Sequence, residues 1–96
     1  MAQTRLNLDY EAMEDSAQAL ITEGDTFEDC IDKMTTEIEN LDSIWEAKTR
    51  EKYQQRYQEA LPTLKDVRQM IQDMAEQMQK IAQNFRDADE SMRDQM

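Results

Sequence analysis

The chain has 96 residues, with no histidine, one cysteine, one glycine, one proline and one tryptophan. Without histidine it lacks the commonest general base and the commonest transition-metal ligand. Cys30 stands alone, so there is no internal disulfide and no cysteine-based zinc site. One glycine leaves no glycine-rich phosphate loop, and no nucleophile stands next to a base. No apolar run reaches membrane-spanning length, and the N-terminal MAQTRLNLDYEAME lacks the apolar core of a signal peptide. These absences predict a protein that is not an enzyme, with no cofactor, no metal and no small-molecule substrate. If the chain leaves its cell, it does not do so by the ordinary signal-peptide route.

Positive charge is scarce as well. Eleven basic residues face 22 acidic ones, for a net charge of −11. The imbalance is local: residues 1–46 hold thirteen acids against Arg5 and Lys33, whereas residues 47–96 hold nine of each sign. An acidic surface repels phosphate backbones and anionic membranes, which excludes nucleic acid as a partner. The acidic half is either a solvated face or a device of orientation, since an acidic first helix prefers a mixed-charge second helix to a copy of itself.

What the chain does have is two long stripes. Tyr10, Met13, Ala17, Leu20, Gly24, Phe27, Ile31, Met34, Ile38 and Leu41 alternate spacings of three and four. Tyr53, Tyr57, Ala60, Leu64, Val67, Ile71, Met74, Met78, Ile81, Phe85, Ala88 and Met92 do the same. Such a stripe keeps one helical face against a neighbour. Extending the first register puts seam positions at Trp45 and Lys48, while the second stripe starts at Tyr53. At roughly 100° per residue that slip is about 140°, more than one continuous helix can absorb. The pattern therefore predicts a single all-α domain over residues 1–96. It is an antiparallel hairpin of helix 1 (about 8–41), a turn (about 42–49) and helix 2 (about 50–92).

Within it, Leu20, Gly24, Phe27, Ile31, Met34, Ile38, Leu64, Val67, Ile71, Met74, Met78 and Ile81 form the core or dimer seam. Ile21, Leu61, Met70, Ala75 and Ala82 widen it as flanks. One hairpin cannot cover so broad an apolar face, and a second copy completing a four-helix bundle is the natural cover. Asn7 is expected to cap helix 1. Gly24 is either a tolerated weak spot or a point of close helix approach. Pro62 falls on the outward face without breaking the stripe, and reads as a kink rather than a domain boundary. Cys30, one residue before the seam position Ile31, reads as a small half-buried filler or the site of an intermolecular disulfide. Asp25, Glu28, Asp29 and Asp32 read as a solvated face, because di-metal bundles need histidine beside their carboxylates. Trp45 continues the first stripe and is expected to pack at the hairpin end, with its indole N–H hydrogen-bonded or wet. With Leu41 beside Tyr53, Tyr10 falls opposite Asn84, so everything from Phe85 onward overhangs.

A chain of this length, with two long helices joined at a tryptophan, resembles the WXG family of small secreted proteins. These are the early-secreted-antigen-like substrates of type VII secretion in Gram-positive bacteria. The resemblance covers essentially the whole chain. Trp45-Glu46-Ala47 sits at the family's Trp-x-Gly turn, and Tyr53 matches an aromatic early in helix 2. The run Tyr57-Gln58-Glu59-Ala60-Leu61-Pro62-Thr63-Leu64 resembles an aromatic-x-x-Leu-x-Pro stretch of homodimeric members, and Leu6-Asn7-Leu8-Asp9 falls where members carry a helix cap. Ala47 replaces the glycine, so a turn needing positive φ there would be strained. Phe85-Arg86-Asp87-Ala88-Asp89 is similar to the family's C-terminal Tyr-x-x-x-Asp/Glu export motif, with the ring kept and the hydroxyl lost.

The resemblance implies a non-enzymatic substrate or adaptor, exported folded as a helical dimer. The partner is a second copy or a related small protein, and Phe85 with Asp89 is the candidate signal read by a membrane-associated secretion ATPase. The protein is then cytoplasmic before export and secreted afterwards. A cytosolic coiled-coil interaction protein and a heterodimeric helper escorting a larger toxin are the alternatives.

Overall fold

The computed structural model describes residues 8–94. Asp9 opens the first helix, α1 (Tyr10–Glu39), with its side chain accepting the Ala12 N–H at 3.0 Å. Glu11 adds an acid to the positively polarised first turn. Asn7, the expected cap, lies outside the described residues. The far end of α1 tightens into a 3-10 turn at Asn40–Ser43, a common way to close a last turn. A short loop then leads into α2 (Lys48–Asp94), which runs unbroken through Pro62. The two helices pack against each other as an antiparallel hairpin measuring 74 × 19 × 15 Å. Among the described residues no helix is long and apolar enough to cross a membrane.

Small residues make the closest contact between the helices. Ala17, Ala75 and Ala82 are fully buried, Gly24 and Ile31 are buried, and no large side chain among the described residues is fully buried. Ala17, Gly24 and Ile31 are spaced by seven, as are Ala75 and Ala82. Each set therefore stays on one line along its helix. Gly24 resolves as a point of close approach: a Cβ there would lie 3.2 Å from the Arg68 Nη1 and 3.5 Å from the Ile71 Cγ2. The missing side chain is the seat over which Arg68 crosses α1.

Ala75 and Ala82, expected as flanks, lie at the centre of the contact between the helices. Of the residues expected in the core or dimer seam, Val67, Met74 and Met34 lie off that contact, at 37%, 45% and 43% exposure. The reason is that α2 carries two overlapping stripes sharing the row Tyr57, Leu64, Ile71, Met78 and Phe85. One edge (Gln54, Leu61, Arg68, Ala75, Ala82, Asp89) turns to α1. The other (Tyr53, Ala60, Val67, Met74, Ile81, Ala88) turns away, though Ile81 stays half-buried. Cys30, about 100° round the helix from Ile31, is exposed rather than half-buried.

The hairpin is consequently two-sided. Arg68 reaches Asp25 (Nη2–Oδ1, 2.8 Å) and Glu28 (Nε–Oε1, 3.6 Å), and Arg86 pairs with Glu14, all along one side. Stepping three residues along α1 from Ala17 and Gly24 rotates by about −60°. That puts Leu20 and Phe27 on the opposite side, with Met34 and Leu41 continuing their row. The outer stripe of α2 rotates to the same side, so the half-exposed and exposed apolar residues form one continuous face.

The alanine contact gives a direct test. Ala75→Leu forces the helices apart and is expected to lower stability by about 1–3 kcal/mol, whereas Met74→Leu one position earlier should change it by less than about 1.5 kcal/mol. Thermal and denaturant unfolding of the two variants would check this. Equal costs would show that the helices do not meet at Ala75.

Candidate functional site

Candidate functional side chains lie at the two ends of the rod and on its apolar side. At the turn, the Ile44 and Trp45 N–H groups both donate to the Leu41 carbonyl, at 3.1 and 2.8 Å. The Arg50 Nη1 donates to the Trp45 carbonyl at 2.7 Å while its Nε lies 3.3 Å from the Asp42 Oδ1. Gln54 adds a second stitch, donating to the Ile38 carbonyl at 2.7 Å and to the Asp42 Oδ1 at 2.9 Å. Further in, Tyr57 and Thr35 share a 2.6 Å hydrogen bond between their hydroxyls. This lattice of side chain to backbone bonds fixes the turn without a glycine. No described residue has positive φ, so Ala47 carries no strain, and its carbonyl accepts the Arg50 N–H at 3.2 Å in the first turn of α2.

Trp45 packs only partly at the hairpin end. It is 38% exposed, with its ring 6.5 Å from that of Tyr53 and tilted 30°. The 3-10 turn and loop take it off the path of α1, so the heptad ruler no longer governs where it points. Glu46 is exposed beside it, and Ile44 is 78% exposed. The tip of the rod thus offers an isoleucine and two aromatics to solvent.

At the other end the overhang is shorter than expected. The Tyr10 hydroxyl donates to the Asp89 Oδ2 at 3.0 Å, five residues past its expected partner, Asn84, while residues 87–94 are exposed and α2 continues to Asp94. Side chains lean toward the N-terminus of their own helix. Tyr10 therefore extends away from the turn, while Asp89 leans back toward it. Arg86 lies 4.8 Å over the Tyr10 ring and binds Glu14 through two nitrogens. Arg93 donates to the Asp89 Oδ2 at 2.9 Å. The hydrogen bond to Asp89, followed by desolvation and the carboxylate charge, raises the Tyr10 phenol above its ordinary value. Glu14 stabilises the Arg86 guanidinium further in its charged form. Phe85 is half-buried one residue before Arg86.

Seam reasoning missed the residues that tie the helices together: Tyr10 was read only as apolar, and Glu14, Arg50, Gln54, Arg68 and Arg86 not at all. The one available signal was Gly24, a glycine in a seam within reach of a long basic side chain across the hairpin.

With the geometry in place, comparison with known families is informative. A family model, WXG100, described as proteins of 100 residues with WXG, matches residues 5–90. Comparisons with curated proteins and with solved structures give no match.

Two outcomes are expected here. Trp45→Ala should cost about 1–2 kcal/mol of stability, well short of the ~3–5 kcal/mol of a fully buried tryptophan, as read from chemical denaturation. A loss at the upper end would mean the ring is buried in solution. Separately, ultraviolet titration should find the Tyr10 phenol ionising above its ordinary value. Because folding raises it, the contribution of the Tyr10–Asp89 bond is present below the unfolded tyrosine value and is lost as pH rises through the folded one. Asp89→Ala should return Tyr10 toward the ordinary value, and an unmoved titration would contradict the bond.

Proposed function

Because the chain belongs to the WXG family of small secreted-type proteins of about one hundred residues, we propose that it is a non-enzymatic substrate or adaptor of a type VII secretion system, exported as a folded homodimer. The observation that carries the dimer is the apolar side of the hairpin, where Met34, Val67, Met70 and Met74 are all exposed. Contiguous exposed apolar surface bordered by polar residues marks an interaction site. Area supports the same reading: the accessible surface is 7619 Å², against roughly 5,800 Å² for a compact monomer of this mass. The excess of about 1,800 Å² per chain is more than the roughly 800 Å² that each partner buries in a standard protein interface.

In the dimer, two apolar sides face each other as a four-helix bundle, the ion-paired sides remain in water, and the acidic α1 lies beside the mixed-charge α2 of the other copy. Phe85 and Asp89 serve as the handle for a membrane-bound secretion ATPase, with Trp45, Glu46 and Ala47 at the opposite end of the rod. The protein is cytoplasmic before export and extracellular after it.

The test is export itself. In a host with the secretion system, the chain should accumulate in culture supernatant and disappear from it when the secretion ATPase is inactivated. ATPase-independent appearance outside, or retention in the cytoplasm, would overturn the reading. Met74→Glu, at the centre of the apolar side, should reduce the solution mass from about twice 11.4 kDa to that of one chain and stop export. A wild-type chain that is monomeric alone but pairs with a related small protein would replace the homodimer with a heterodimer.

A further inference from the structure

The open end of the hairpin is held by polar side chains rather than by its apolar seam. Ala88 and Met92, the last seam positions of α2, are exposed, so past Phe85 no buried apolar side chain pins the helix to α1. What joins the helices there is the set described above. Tyr10 donates to Asp89, 79 residues away in the chain, and Arg86 covers the Tyr10 ring and pairs with Glu14 at a separation of 72 residues. Arg93 approaches the same Asp89 oxygen as Tyr10 from its own helix. Both of those bonds fall on Oδ2, and among the described residues Oδ1 accepts none.

From this arrangement we infer that Tyr10 and Arg86 are positioning residues: they clasp the last turns of α2 to the first turn of α1 and hold Phe85 and Asp89 in a presentation that only the closed hairpin offers. The inference rests on the reading of Phe85 and Asp89 as the export handle, and adds what orders it. Phe85, Arg86 and Asp89 all belong to α2 and sit near one another in any helical segment. Their orientation relative to α1, however, is set by Tyr10, which arrives only when the chain has folded back on itself. The carboxylate is thereby held through Oδ2 by donors from both helices. Recognition of the handle then reports that the two helices have closed.

Such a clasp predicts local effects. Interactions at a half-exposed helix end govern local opening rather than global unfolding. Hydrogen–deuterium exchange on the full-length protein reads this directly, using Tyr10→Phe, which keeps the ring under Arg86 and removes the hydroxyl, and Tyr10→Ala, which removes both. Thr35→Val deletes a hydroxyl partner in the turn-proximal half and serves as the control. Amides over residues 86–94 should exchange several-fold faster in Tyr10→Phe and faster still in Tyr10→Ala, with the middle of α2 and the solution mass unchanged. Export should fall several-fold in both, while Thr35→Val should leave end exchange and export at wild-type levels. Unaltered exchange in Tyr10→Ala overturns the clasp. Accelerated exchange with wild-type export overturns the positioning role. If the wild-type chain is itself not exported, the export reading fails, and the exchange data judge the clasp alone.

Discussion

Ala17, Gly24, Ala75 and Ala82 set the spacing of the two helices, and the rest of the hairpin follows from that spacing. Interhelical distance depends on the side chains at the contact, and alanine and glycine allow the backbones to come close. Closeness has a consequence for everything larger. With Ala17, Gly24, Ala75 and Ala82 on the central lines beside the one larger residue Ile31, Leu20, Phe27, Leu64, Ile71, Met78 and Ile81 are pushed to the margins, where each is only partly covered. A chain this short buries a modest fraction of its surface even when compact, and a two-helix rod buries less. The small-residue contact thus gives a hairpin that is tight along its midline and unfinished along one side.

The polar side completes the logic. Arg68 crossing Gly24 to Asp25 and Glu28, Arg86 on Glu14, and Arg50 on Asp42 all tie α2 to α1 or to the turn on the side away from the apolar residues. Exposed ion pairs contribute about 0–1 kcal/mol each, too little to hold the rod together. Their placement matters more than their strength. A helix pair with interchangeable heptad rows can rotate about its long axis, and a guanidinium that fits only over the one glycine selects a single rotation. That selection decides which apolar row is left outside.

The two stripes and the 140° slip between them were enough to read the hairpin and to locate its turn, because periodicity over some thirty residues is a strong signal. The rotation of α2 was not readable in the same way. Its two stripes share the row from Tyr57 to Phe85, and hydrophobicity favours the edge with Val67 and Met74 over the edge with Ala75 and Ala82. The structure chooses the second, because burial against α1 rewards small size there rather than apolar area. Trp45 escaped the ruler for a different reason: it lies in a loop, where helical phase has no meaning. The overhang begins later than Phe85 because a ruler of Cα positions ignores the lean of long side chains, which brings Tyr10 to Asp89. The family resemblance located Phe85 and Asp89 but carried no information about Tyr10, 79 residues away.

In the proposed dimer this fold is finished by a second chain. Association predicts that stability depends on protein concentration, since mass action favours the folded dimer. Thermal melting followed by circular dichroism over a hundredfold range of concentration tests that most directly. The midpoint should rise steadily with concentration, with one cooperative transition throughout. A sharp transition whose midpoint stays fixed across the range would show that the single hairpin is complete by itself, and would contradict the account.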